Sequence, residues 1–278
     1  MTGRFLSIDR GIRNGGMAAI LATALLAVSA CTSPPTIFDR SASTETNSYV
    51  PRIAESFRSG GRTIPMEMMR ANATGRSPAV VMLHGASGIG SGYMIYPYGG
   101  AIAERGIHAF VVDYYDGLEV SGSKASPAHF AVRERIIADA VAAVRARPDV
   151  DPDRVGIWGL SLGGFHALAL AAQDPQIAAV VDLVGAMPQN IPIDDVTHMP
   201  PTLVMHGSND RTVPPRRMAQ VASMLDRIGA PFEVKLYVGE GHSFSPPNHA
   251  DSVRRSAAFF DRYLNNGSQI AMLPAARR

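Results

Sequence analysis

The sequence predicts an α/β protein: a doubly wound, mostly parallel sheet with helices on both faces. Two observations predict it. Short β-branched runs without polar alternation recur along the chain, as in strands buried on both faces of a parallel sheet. Segments with apolar residues at helical spacing separate these runs. In such sheets ligands sit beyond the carboxyl ends of the strands. His84, Asp113, Ser161, Asp182, Asp210 and His242, all at or near strand ends, are therefore the residues to weigh for function.

Taken in order, residues 1–30 read as a targeting segment. An arginine-bearing start precedes the apolar stretch "MAAILATALLAV", which is shorter than the roughly 20 residues of a membrane span and suits a secretory core. "LAVSAC" follows and ends in Cys31, the only cysteine. It resembles a bacterial lipobox, which makes Cys31 the expected lipidation site; the alternative is an ordinary cleavage site after Ala30. By resemblance to sorting in bacteria with two membranes, Thr32 after the cysteine points to the outer membrane. The expected location is extracytoplasmic, anchored to the envelope by lipid. Residues 31–50, rich in Ser, Thr and Pro, read as a disordered tether.

One catalytic-size domain follows over 51–264, and 265–278 reads as a flexible tail. "ESFRSGGRTIPMEMMRA" predicts a hairpin turning at Gly60-Gly61. Strands are predicted in "AVVMLHG", "IHAFVVDYY", "RVGIWGLS", "AAVVDLVGA", "PTLVMHGSND" and "FEVKLYVGEGH". Helices are predicted over 132–147, 162–173, 215–228 and 251–264. Only residues 186–200 separate the strand that holds Asp182 from the next one, too few for a large cap domain.

Composition narrows the function classes. The chain is 46% hydrophobic and 18% charged, an ordinary globular balance. Its formal charge of +2 comes from Arg4, Arg10 and Arg13 against Asp9 in the first thirty residues, so the body is neutral and nucleic acid is not an expected partner. A single cysteine allows no intrachain disulfide, and no metal-ligand spacing or cofactor motif is visible, so no metal and no cofactor are expected.

The chemistry centres on "RVGIWGLSLGG". Ser161 sits between Gly159 and Gly163 on a strand–turn–helix, the arrangement of a nucleophile elbow. The bland alternative is a serine that caps the helix. A serine hydroxyl needs a base to take its proton and a carboxylate to orient that base. On this strand order the partners follow as acid, then histidine: Asp210 closes "LVMHGSND" and His242 lies in "VGEGHSF". His84 and His206 precede glycines and are expected to brace loops; His108, His129, His166, His198 and His249 sit away from the required strand ends. Asp182 lies inside its strand, Asp194 and Asp195 in an irregular stretch, and Glu240 too near His242 to orient it. The oxyanion donors expected are the N–H groups of Leu162 and of Ala86 in "HGASG", with Ser87 the alternative. That glycine-rich loop lacks the lysine and the spacing of a phosphate cradle. Tyr93, Tyr96, Tyr98, Tyr114, Met187 and Phe244 are expected to rim an open cleft.

"LHGASG", "GLSLGG", "HGSND" and "GEGHSF", in this order, resemble an α/β-hydrolase of the dienelactone hydrolase family over about residues 56–264. The resemblance implies Ser161 as nucleophile, Asp210 as acid and His242 as base. The founding members carry cysteine where this chain has Ser161, and glutamate where it has Gly85. They hold their substrate's carboxylate with an arginine where it has Pro246 and Pro247. These departures point to ester hydrolysis on substrates other than dienelactone. The expected activity is a serine carboxylesterase acting on small to medium esters, as a monomer or homodimer. A serine peptidase or amidase on the same fold, and a non-catalytic envelope binding protein with a relic site, are the alternatives.

Overall fold

The computed structural model describes residues 50–118, 120 and 123–266. The targeting segment, Cys31 and nearly all of the tether and of the tail lie outside them. The chain opens with β1 (Arg52–Ser59) and β2 (Arg62–Met69), antiparallel partners with Ser59 opposite Arg62. Gly60 and Gly61 both have positive φ, the backbone that a tight two-residue hairpin turn demands. Next come β3 (Ser77–Leu83), α1 (Tyr96–Ala103), β4 (His108–Val112), α2 (Phe130–Arg145), β5 (Val150–Leu160) and α3 (Leu162–Gln173). The chain continues through β6 (Val180–Leu183), β7 (Thr202–Gly207), α4 (Arg216–Arg227), β8 (Phe232–Tyr237) and α5 (Pro246–Phe260).

The eight strands form one sheet in the order β1-β2-β4-β3-β5-β6-β7-β8. From β4 to β8 every neighbouring pair is parallel, and β2 joins β4 antiparallel. Because strand side chains alternate, each central strand feeds two cores. In β3, Ala79, Val81 and Leu83 pack with α2, α3 and α4, while Val80 and Met82 pack with α1 and α5. The predicted helices over 132–147, 162–173 and 215–228 appear within two residues of their bounds. The last helix begins at Pro246, five residues before the expected start. Its two prolines occupy the first turn, where a missing N–H costs nothing. Helix α1 was not among the expected elements; its Pro97, Gly99 and Gly100 are weak helix formers. Between β6 and β7 the only helical element is the short turn Ile193–Asp195, so among the described residues no cap domain is inserted there. Among the described residues, no helix is long and apolar enough to cross a membrane.

Candidate active site

Ser161 joins β5 to α3 at φ 52°, ψ −113°, a backbone conformation that costs a non-glycine residue strain energy. The turn is held by Ser161 N–H donating to Leu183 O (2.8 Å) and by Gly164 N–H donating to Ser161 O (2.8 Å). The flanking glycines are required by backbone closeness. A Cβ on Gly159 would lie 2.2 Å from Gly163 O, and one on Gly163 would lie 2.3 Å from Leu83 O. The hydroxyl makes no helix-capping bond; it donates instead to His242 Nε2 at 2.9 Å.

His242 Nδ1–H in turn donates to Asp210 Oδ2 at 2.8 Å. The buried Asp210 is fixed through its other oxygen, which accepts from the N–H groups of Thr212 (2.8 Å) and Val213 (2.9 Å). Three residues at the ends of β5, β7 and β8 are thus joined in one chain of hydrogen bonds. The nearby histidines hold loops in place. His206 donates to Val213 O at 2.7 Å, and His84 donates to Gly85 O at 2.8 Å. Glu240 bonds Ser245 and Asn248 rather than His242.

A cleft of roughly 310 Å³ opens over Ser161. Ala86, Ser87, Met94, Ile95, Thr212 and Ser243 line it together with Ser161 and His242. Leu162 is the first residue of α3, where an N–H has no intrahelical acceptor. Gly85 O is held by Gly88 N–H (3.0 Å) as well as by His84, so the planar peptide fixes the direction of the Ala86 N–H on its opposite edge.

The expected aromatic rim needs correction. Tyr114 is fully buried: it stacks on His84 at 3.9 Å and donates to His84 O at 2.6 Å, behind the loop rather than in the cleft. Its neighbour Tyr115, which the sequence did not single out, donates to Ala86 O at 3.2 Å. Tyr98 is buried against Trp158 and bonds Ser252. Tyr96 lies under the Arg52 guanidinium, Phe244 packs on Tyr237, and Met187 is buried. None of these five lines the cleft over Ser161. Tyr93 falls on the helical turn Ile89–Met94, with its side chain outside the described part. Met94 and Ile95, interleaved with these tyrosines, line the cleft in their place.

Directly beneath the elbow lies Asp182, wholly buried, close against Gly164 and Gly185. Burial pushes its carboxyl up to about 8; the Gly185 N–H offsets part of that cost without reaching full hydrogen-bond geometry. On the α2 side, His166 accepts from Arg133 Nε at 2.8 Å and bonds Glu134 through Nδ1. Burial and the Arg133 charge hold His166 down near 3, and burial lifts Glu134 to about 8. His166 is therefore a neutral structural imidazole at ordinary pH. Among the described residues, no group of three His, Cys, Asp or Glu side chains could hold a metal ion.

An eight-stranded, mostly parallel sheet carrying a serine on a strained strand–turn–helix defines the α/β-hydrolase fold. The family model for the dienelactone hydrolase family matches residues 66–263, and the chain belongs to that family. A carboxymethylenebutenolidase of Rhodococcus opacus is 26% identical over 236 residues, covering 72% of this chain and 93% of the relative. A probable 2-oxo-3-(5-oxofuran-2-ylidene)propanoate lactonase of a Bradyrhizobium species is 28% identical over 208 residues, 69% of this chain and 82% of that one. Among solved structures, a putative dienelactone hydrolase of Klebsiella pneumoniae aligns with a TM-score of 0.64 at 21% identity. It covers 77% of this chain and all of that one, a likeness of fold.

Proposed function

We propose that the protein is a serine hydrolase of uncharged carboxylic esters, and the observation that carries this reading is the hydrogen-bonded chain Asp210–His242–Ser161. In this reading Ser161 Oγ forms a bond to the ester carbonyl carbon while its proton passes to His242 Nε2. The negative oxygen is received by the N–H groups of Leu162 and Ala86, each donor worth about 2.7–4 kcal/mol. Collapse breaks the bond to the alcohol, and His242 returns the proton to the leaving oxygen. Water then repeats the sequence on the acyl-enzyme and frees the acid. Asp210 holds the imidazole in the tautomer that leaves Nε2 free to accept. Tyr114 and Tyr115 act as positioning residues, holding the carbonyls of the Ala86 loop from behind.

The ester bond is supported by the relatives named above, which act, by their names, on lactones or butenolides, cyclic esters that also carry a carboxylate. The absence of charge is supported by the cleft itself: among the described residues that line it, none is a lysine or arginine to hold such a carboxylate. Envelope anchoring through Cys31 belongs to the same proposal and rests on "LAVSAC" alone. Replacement of Cys31 by Ala is expected to abolish palmitate labelling and membrane fractionation; unchanged labelling would refute the anchor.

The test of the activity is a screen of purified protein against p-nitrophenyl esters and aminoacyl anilides. Ester turnover that vanishes in Ser161→Ala supports the reading. Anilide turnover exceeding that of esters would replace it with a peptidase, and no turnover of either would leave a binding protein.

A further inference from the structure

A second, larger cavity of roughly 640 Å³ lies beside the cleft over Ser161, within the range of small-molecule sites. Its walls are the turn before α2 (Ala128), the start of α2 (Phe130, Ala131), the first turn of α3 (Leu162, Phe165) and Pro188 from the stretch after β6. The lining is mainly apolar, and the one charged side chain among its described residues is already engaged. Arg133 donates to His166 Nε2 at 2.8 Å, to Lys124 O at 2.6 Å and to Ser126 O at 3.0 Å. Nothing in the mechanism above uses this space.

Its position relative to the reacting atoms decides what it can hold. His242 must reach the leaving oxygen to protonate it, so the alcohol part of an ester lies on the His242 side, in the cleft shared with Thr212 and Ser243. The acyl chain departs from the same carbonyl carbon in another direction. The second cavity begins at Leu162, the residue after the nucleophile, and none of its lining residues belongs to the His242 side. We propose that this cavity is the acyl pocket and that it takes an unbranched or cyclic apolar acyl group without charge. The proposal rests on the serine-esterase reading given above. It makes the protein selective for medium-length acyl chains while leaving the alcohol weakly specified. Leu162 then serves twice, its N–H receiving the oxyanion and its side chain forming the pocket entrance.

The experiment compares kcat/KM for p-nitrophenyl acetate, butyrate, hexanoate and octanoate, and for ethyl, butyl and octyl acetate. Each acyl methylene that enters the cavity is expected to raise kcat/KM about fourfold until the space is filled. Lengthening the alcohol is expected to change it much less. Ala131→Trp fills the cavity from the exposed face of α2, and Ala128→Trp fills it from the preceding turn. Both variants are expected to lower the octanoate-to-acetate ratio by about tenfold or more. An unchanged ratio in variants that still turn over acetate esters, or a response confined to alcohol length, overturns the acyl assignment alone. A wild-type protein that hydrolyses none of these esters and does not react at Ser161 with a fluorophosphonate overturns the esterase reading, and the pocket with it.

Discussion

Substituting Gly159 by Ala places one methyl group at the tightest point of the elbow. The added Cβ would sit 2.2 Å from Gly163 O and 2.4 Å from its carbonyl carbon, where ordinary contact begins at 3.4 Å. Both atoms are backbone, so no flexible side-chain end can swing away. The two segments must part by about 1 Å, and Gly163 is itself pressed against Leu83 on the next strand. Overpacking of this kind costs about 1–3 kcal/mol, which for a domain of this size lowers Tm by roughly 2–4 °C per kcal/mol. The same displacement moves Ser161 Oγ and the Leu162 N–H relative to His242. A misplacement of about 1 Å costs on the order of 10² in rate. Circular dichroism melts and p-nitrophenyl butyrate kinetics on Gly159→Ala measure both effects. A variant that melts with the wild type and keeps its kcat/KM would refute the claim that close backbone packing positions the serine.

Asp210→Asn is expected to reduce kcat by about 10⁴, because the amide leaves the His242 imidazole in the wrong tautomer; steady-state kinetics check it. Ser161→Ala and His242→Ala are each expected to cost on the order of 10⁶ and the double variant little more, because the three groups act as a unit. Asp182→Asn tests the buried acid through pH. Its folded pKa of about 8 lies above the unfolded value of 3.8, so its contribution is fully present below 3.8 and is lost as pH rises toward 8. Wild-type unfolding free energy is therefore expected to fall relative to Asp182→Asn between about pH 4 and 8, with a limiting slope near 1.36 kcal/mol per pH unit, and Tm is expected to fall with it. Parallel Tm curves would contradict it. Treatment with a chelator is expected to leave ester turnover unchanged, since the nucleophile is a hydroxyl activated by His242.

The strands and the elements that position the serine were legible because they rest on local signals. The Gly60-Gly61 hairpin, the β-branched runs and the 162–173 helix each follow from a few adjacent residues. Ser161, Asp210 and His242 could be chosen because parallel strands bring their carboxyl ends to one edge, whatever the loops do. The cleft wall was not legible in the same way. Ile95, Thr212 and Ser243 meet only after three loops fold over one another, and nothing in their sequence neighbourhood marks them. The tyrosines misled for a related reason. An aromatic residue near a strand end fits a pocket wall or a loop brace equally well, and the stack of Tyr114 on His84 is a long-range contact. The last helix was expected only from 251, whereas its first turn accepts Pro246 and Pro247.

The central claim is that Ser161 is the nucleophile of an acyl-transfer reaction. It is tested most directly by reacting the wild-type protein with a fluorophosphonate ester and locating the adduct by peptide mass spectrometry. The account predicts one phosphonyl group per chain, on Ser161, with loss of ester hydrolysis in proportion to labelling. It also predicts no adduct in a folded Ser161→Ala protein. An adduct on another serine that tracks the loss of activity, or full esterase activity in Ser161→Ala, would contradict it.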